Sequence, residues 1–447
     1  MGLLRELNMI YRSSEAMYRR TLGSRRRGLI LREEVTSPTL IRSESSGMVI
    51  EGDNREVMAE LAINPAIAGK INMIYIDPPF FSMSDYEAVA KAGGSTVRHS
   101  AYKDKWSSGM AEYLKMLAPR LMQMRDLMAD DGLIFVHLDW HAVDSVKSLM
   151  DEIFGAERFV NEIIWEYKSG GSSKRHFSRK HDNILVYSKT AGYKFFPLKE
   201  KSYNRGLKPY RFKGVEEFED EVGWYTVVNM KDVWSIDMVG RTSAERTGYA
   251  TQKPEALIRR MIECCTEEGD LVADFFCGSG TTGAAAAKLG RRFIMVDKGG
   301  LAVETAEARL MKDGVSFEVL GFSGGTGGLT AYISSSAEQG PSDDLININV
   351  TINSVRISNI PVRRGGDQKA DIRELAKKSP EELILMWSVD FSYDGSVHRP
   401  SELFLRENGI ITISMSSQVN KGDIISIKIV DIFGNTCFRI IDSGSLL

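Results

Sequence analysis

Two stretches of this chain place chemically able residues at the ends of apolar runs. The first is Asp274-Phe275-Phe276-Cys277-Gly278-Ser279-Gly280-Thr281-Thr282-Gly283, between an apolar run and a helical stretch. Glycines at 278, 280 and 283 let the chain turn tightly and bring its backbone close to a ligand. The N–H groups that open the following helix point to the same place. Seventeen residues after Gly280 another apolar run ends at Asp297, whose carboxylate could accept bonds from ribose hydroxyls. Alone, the segment also satisfies the G-x-G-x-x-G dinucleotide fingerprint, so a nicotinamide-dependent oxidoreductase is a rival reading. Asp274 argues for a cationic nucleoside ligand, because it would repel a pyrophosphate and attract an ammonium.

The second stretch is Asp77-Pro78-Pro79-Phe80, at the end of the apolar run Ile71–Ile76. The prolines fix the backbone after the acid and remove two N–H donors. An Asp carboxylate and a rigid carbonyl, that of Pro78 in particular, can grip both hydrogens of an exocyclic amine. Phe80 can then stack on the base that carries it. Such an amine has to leave a duplex to reach the pocket, as in enzymes that flip nucleotides. His137 and His141 flank Asp139 and read as structural residues at a strand end.

The elements that must hold these residues alternate. Apolar runs at 48–50, 71–76, 132–138, 271–275 and 292–296 are separated by helical stretches, among them 55–61 and about 113–129. This predicts an α/β fold with a doubly wound, mostly parallel sheet. Residues 1–45 are arginine-rich (Arg19, Arg20, Arg25, Arg26, Arg27) and read as a helical extension followed by a loose arm, either a solvated surface or a phosphate contact. Residues 46–165 form the half with Asp-Pro-Pro-Phe, and 246–322 the half with the glycine turn. Between them, 166–245 opens on a segment, 166–213, with thirteen Lys or Arg against three acids, interleaved with aromatics; 166–245 reads as a target-recognition region for nucleic acid or, alternatively, as a solvated insertion. Residues 323–344 are Gly/Ser-rich and read as a linker. Residues 345–447 read as a β-rich domain with strands near 346–352, 410–415 and 424–430. It also carries one helix, capped by Ser379 with Pro380 and Glu382.

Composition narrows the classes. A length of 447 residues suggests two or three domains. The net charge of -3 means that any polyanion must meet a local positive patch. Cys264, Cys265, Cys277 and Cys437 have no metal-ligand spacing and no disulfide pattern. No apolar stretch suggests a signal peptide or a membrane span, so the reading is cytoplasmic, with no metal and no membrane.

The order of the two motifs, with a basic segment between them, resembles the circularly permuted β-class of DNA amino-methyltransferases. The chain is similar to the Mod subunits of type III restriction systems and to solitary adenine methyltransferases. Val49-Ile50-Glu51-Gly52-Asp53-Asn54 resembles the family's strand end whose acid contacts the cofactor's adenine, and Thr251-Gln252-Lys253-Pro254 its helix opening before the glycine turn. Asp151-Glu152-Ile153-Phe154-Gly155 and the run 181–187 are family-like as well. The resemblance covers roughly 46–312 and leaves out the C-terminal domain, whose readings are a DNA-binding accessory, a dimerisation surface or a docking site for a nuclease.

The resemblance implies a Rossmann-like fold that binds S-adenosylmethionine (AdoMet) and methylates the N6 amine of adenine in double-stranded DNA at a specific site. Catalysis falls to Asp77, Pro78, Pro79 and Phe80. The cofactor falls to Asp53, Asp77, Lys253, Pro254, Asp274, Phe276, Cys277, Gly278, Ser279, Gly280, Thr281, Thr282 and Asp297. Lys168, Lys174, Arg175, Arg179, Lys180, Arg205, Lys208 and Arg211 are the DNA-binding candidates. A homodimer and a restriction subunit are the partners left open. The family often has Tyr in place of Phe80 and Pro in place of Phe275; at position 80 phenylalanine keeps the stacking face and loses only a hydroxyl. Asp at 77 favours adenine, since cytosine-N4 enzymes of this class usually carry Ser there; cytosine N4 is the alternative.

Overall fold

The computed structural model describes all residues except 1–2, 25, 37–46, 83–84, 169–173, 241, 324–327, 359, 362–365 and 408. The chain opens with α1 (Leu3–Gly23), β1 (Ile30–Val35), β2 (Gly47–Glu51), α2 (Asn54–Leu61) and β3 (Ile71–Ile76). A hairpin follows, β4 (Asp85–Ala92) and β5 (Ser95–Lys103), then α3 (Met110–Leu127), β6 (Met128–Leu138), α4 (Val143–Phe154), β7 (Phe159–Glu166) and β8 (His181–Ser188). A small three-stranded sheet, β9 (Lys199–Tyr203), β10 (Phe218–Glu219) and β11 (Trp224–Asn229), leads to β12 (Val233–Ser235). Then come α5 (Glu255–Cys265), β13 (Leu271–Asp274), α6 (Thr281–Lys288), β14 (Arg292–Asp297), α7 (Gly300–Lys312) and β15 (Phe317–Gly321).

Ten of these strands form one sheet in the order β1-β15-β2-β14-β13-β3-β6-β8-β7-β12. From β15 to β6 every neighbour is parallel; β1 at the edge and β8 run against their neighbours. Alternate side chains of a strand face opposite sides, and both sides are covered here. Ile74, Ile76, Ile134 and Val136 pack under α1 to α4, whereas Met73, Tyr75, Leu133 and Phe135 pack under α5 to α7. In α5, Leu257, Ile258, Met261, Ile262 and Cys265 recur at helical spacing and form its buried face. The fold is α/β and doubly wound.

A second unit holds β16 (Leu329–Gln339), β17 (Leu345–Ile357), α8 (Gly366–Lys378), β18 (Ile384–Asp390), β19 (Glu402–Leu405), β20 (Ser414–Asn420), β21 (Ile424–Asp431) and β22 (Thr436–Asp442). Its sheets, β16-β17-β20 and β19-β18-β21-β22, enclose a separate core that also takes in Ala92 and Val97 of the β4–β5 hairpin. Lys428 of β21, 1% exposed, fastens it to the first unit: its ammonium meets Glu33 at 2.6 Å, Glu304 at 3.0 Å and Glu307 at 2.7 Å.

Three sequence readings need correction. The arm after the first helix is not loose, because β1 pairs antiparallel with β15 and its Arg32 binds Glu51 and the Phe322 carbonyl. Arg27 likewise meets Glu56, while Arg25 and residues 37–46 lie outside the described residues. The segment read as a linker carries β16, which pairs with β17 along its length; its serines mimic a linker in composition. Residues 324–327 of that segment are outside the described residues. Finally, Pro380–Glu382 is one 3₁₀ turn without a side-chain cap, and the helix lies before it, at α8. Glu382 accepts instead from Arg406 and from the Gly93 N–H, and β18 begins at once.

Candidate active site

Four acids converge where parallel strands end. Asp77 follows β3, Asp274 ends β13, Asp297 ends β14 and Asp53 follows β2. This is the carboxyl edge at which open α/β sheets hold ligands. All four line a cavity of about 580 Å³, within the roughly 300–1,000 Å³ of small-molecule sites. Lys253, Phe276, Cys277, Gly278, Ser279, Thr281 and Thr282 line it too. Pro78, Phe80, Pro254 and Gly280 do not; Pro78 and Pro254 are buried beside it.

The turn after β13 is shaped by its glycines in different ways. Gly278 (φ 48°) and Gly280 (φ 73°) adopt left-handed backbone. A Cβ on Gly280 would lie 2.7 Å from the Ala306 Cβ, and one on Gly283 would collide with Met295. Gly283 therefore lets α6 pack on β14, and ligand approach is left to Gly278. Asp274, 2% exposed, accepts from Thr282 Oγ1 at 2.6 Å and from the Phe276 N–H at 3.0 Å. Burial outweighs these bonds and pushes its carboxyl up to about 7. Asp297 accepts from the N–H groups of Gly278 (3.1 Å) and Gly299 (2.9 Å), and burial raises it as well. A buried acid at 274 disfavours a pyrophosphate in this turn, which removes the main support for nicotinamide chemistry.

Asp77 is gripped on one side only. Its Oδ2 takes a bond of 2.5 Å from the Lys253 ammonium, itself 4.8 Å from the centre of the Phe80 ring. Among the described residues its Oδ1, which is buried, has no hydrogen-bond partner. Phe80 rests on the His137 ring, 5.7 Å away between centroids. His137 is fully buried; Nε2 meets Asp182 Oδ2 at 3.2 Å, and Nδ1 meets the Tyr75 hydroxyl at 2.8 Å. Burial alone would raise the Asp182 carboxyl, but the hydrogen bond and charge of His137 bring it below its ordinary value. It is His141 that pairs with Asp139, at 2.6 Å. This stack of side chains fixes the floor beneath Phe80.

Several residues here carried no motif. Arg120 of α3 binds Asp53 at 3.0 Å and Asn54 Oδ1 at 2.5 Å, while Asp53 also caps α2. Trp106, Tyr249, Lys298, Phe433 and Asn435 line the cavity. Tyr75 was legible in principle, since it stands two residues before Asp77 on the same side of β3.

The basic candidates stand away from the cavity. Lys168, Lys174, Arg175, Arg179 and Lys180 occupy the loop between β7 and β8, and Arg179 lies 3.8 Å over the Trp140 ring just beyond β6. Arg205, Lys208 and Arg211 belong to the β9–β11 insert and are exposed. Exposed aromatics accompany them, with Phe177 at 99% and Phe212 at 63%. Among the described residues, no group of His, Cys, Asp and Glu is arranged to hold a metal, and no helix is long and apolar enough to cross a membrane.

A nucleoside-sized cavity lies at the carboxyl edge, beside a rigid acid with a buried acceptor that no described residue meets. The chain belongs to the DNA methylase family of N6/N4 methyltransferases, whose signature matches residues 71–308. It is similar to a type II methyltransferase of Enterobacter cloacae, M.EcaI, at 28% identity over 54% of this chain and 64% of that one. It is also similar to the Mod subunit of the type III enzyme EcoP15I of Escherichia coli, at 31% over 32% of this chain and 24% of that one. A third relative, the DNA adenine methyltransferase YhdJ of Escherichia coli K12, is 26% identical over 58% of this chain and 81% of its own. The match thus spans just under two thirds of the first relative and a quarter of the second.

Proposed function

We propose that this protein is a site-specific DNA adenine-N6 methyltransferase that uses AdoMet. The observation that carries the reading is Asp77 Oδ1, a buried acceptor without a partner among the described residues, on a backbone stiffened by Pro78 and Pro79. An unmet buried acceptor is costly, and the amino group of a flipped adenine would satisfy it. The cavity fits AdoMet: Asp274 offers a carboxylate to its ammonium, Asp297 two oxygens to its ribose, and Asp53 an acid to its adenine. When bound, the cofactor supplies a methyl on a sulfonium.

The chain's own groups do the rest. Asp77 Oδ1 and the Pro78 carbonyl accept the two amine hydrogens, which turns the nitrogen lone pair toward the cavity. The same bonds would stabilise the positive charge that develops on nitrogen as the methyl leaves sulfur for it, and the neutral product would form when the hydrogen facing Asp77 Oδ1 is released as a proton. Lys253 holds Asp77 in one orientation, so little reorganisation accompanies the reaction. Phe80, propped by His137, gives the base a stacking face. Asp at position 77, in place of serine, favours adenine over cytosine N4, and a relative whose name specifies adenine agrees with it. Lys168, Lys174, Arg175, Arg179, Lys180, Arg205, Lys208 and Arg211 meet the phosphates of double-stranded DNA. A DNA substrate fits an enzyme of the cytoplasm, and a restriction subunit is a natural partner for a relative of Mod chains. In Asp77→Ala, methyl transfer to DNA is expected to fall by about 10³-fold or more, with AdoMet still bound. Full transfer by this variant would overturn the assignment.

A further inference from the structure

One wall of the cavity comes from outside the family match. That match ends at residue 308, yet Phe433 and Asn435 line the cavity beside Lys298 and Leu301. Both belong to the turn between β21 and β22. Asp431, fully buried, fixes that turn: its carboxylate accepts from the N–H groups of Phe433 and Asn435, each at 2.9 Å, and from Asn435 Nδ2 at 2.8 Å. Gly434, at φ 79°, lies so close to Gly300 and Leu301 that a Cβ there would overlap the start of α7. The strands on either side hold the turn in place. Before it, Lys428 is buried against Glu33, Glu304 and Glu307; after it, Thr436 Oγ1 donates to Glu304 Oε1 at 2.7 Å. The turn is a preformed wall and needs no closing motion.

Its position says what it faces. Helix α7 follows directly on Asp297, the acid assigned to the ribose. Strand β14 is two strands from β3, so this end of the cavity is about 10 Å from Asp77 and from the transferred methyl. We propose that the C-terminal unit completes the cofactor site, with Phe433 and Asn435 contacting the nucleoside half of AdoMet. Phe433 offers an aromatic face to the purine, and Asn435 an amide to its polar edge. The inference rests on the AdoMet assignment above. It gives the C-terminal unit a role that its sequence alone did not suggest, and it makes cofactor affinity a property of both units.

The test uses the full chain and S-adenosylhomocysteine, a probe that binds without reacting. Hydrogen exchange in the wild type is expected to slow at residues 433–435 when the probe is added. Phe433→Ala, with its fold checked by circular dichroism, is expected to raise the Kd by about tenfold, with DNA affinity unchanged. If the wild type binds the probe but 433–435 gain no protection, the proposal is overturned while the AdoMet assignment stands. If the wild type binds no probe, the AdoMet assignment itself falls. Should Phe433→Ala fail to fold, the exchange measurement decides alone.

Discussion

The carboxyl edge of the sheet and the basic insert both carry charge, and they carry it in opposite ways. At the edge the charges are buried or half-buried and individually fixed: Asp274 is 2% exposed, Asp297 is held by two N–H groups and Asp77 by Lys253. In the insert and its flanking loop, Lys174, Arg205, Lys208 and Arg211 stand in solvent. Buried charge interacts strongly, titrates far from its ordinary range and is little screened by salt. Exposed charge is weak per residue and strongly screened. The edge is therefore suited to holding one small molecule in one geometry, and the insert to following a phosphate backbone. The comparison also extends to the joint between the units, where Lys428 and three glutamates are buried as at the edge.

The largest effect is expected at that joint. Lys428→Met leaves Glu33, Glu304 and Glu307 without a counter-charge and should destabilise the protein by about 3–5 kcal/mol, read from urea unfolding. Burial raises Glu304 and Glu307, so both take up protons as pH falls and the deficit should shrink in acid. A loss below about 1 kcal/mol would mean that this charge behaves like the exposed kind.

A smaller effect is expected from Asp274. Its carboxyl titrates near 7 in the free protein, and a bound ammonium favours the ionised form. Below about pH 7 the cofactor must expel a proton, so the AdoMet Kd should rise by up to about tenfold per unit as pH falls. Above that value it should level off. Isothermal titration across this range checks the slope, and Asp274→Asn should abolish it while weakening binding. A flat wild-type profile would place the ammonium elsewhere.

The smallest effect per residue belongs to the insert. Replacing Lys174, Arg205, Lys208 and Arg211 by Gln should lower the slope of log affinity for DNA against log salt by about 0.9 for each phosphate that is no longer neutralised. AdoMet binding should stay as it was. An unchanged slope would remove the insert and its flanking loop from the DNA interface.

What could be read from the sequence follows the same physics. Asp77, Asp274 and Asp297 announce themselves because each closes an apolar run, and the chemistry of a strand end is local. The alternation of runs and helices likewise gives the doubly wound sheet. Arg120 meets Asn54 across 66 residues, Tyr75 meets His137 across 62 and His137 meets Asp182 across 45, and no local pattern encodes such pairs. Strand β16 was hidden because serines occupy much of its half-exposed stretch, so the core side is marked only by Leu329 and Ala331 and by the half-buried Ile333 and Ala337. Arg27 suggested a solvated arm because its partner, Glu56, lies on a later element. Phe433 was least legible of all, since its place in the cavity depends on how two units dock.

The central claim is that the group at Asp77 methylates adenine N6. Its most direct test is to incubate the full chain with labelled AdoMet and unmethylated genomic DNA, digest the DNA to nucleosides and identify the product by mass spectrometry. The account predicts N6-methyladenine that carries the label. Labelled N4-methylcytosine, or no labelled nucleoside while AdoMet is bound, would contradict it.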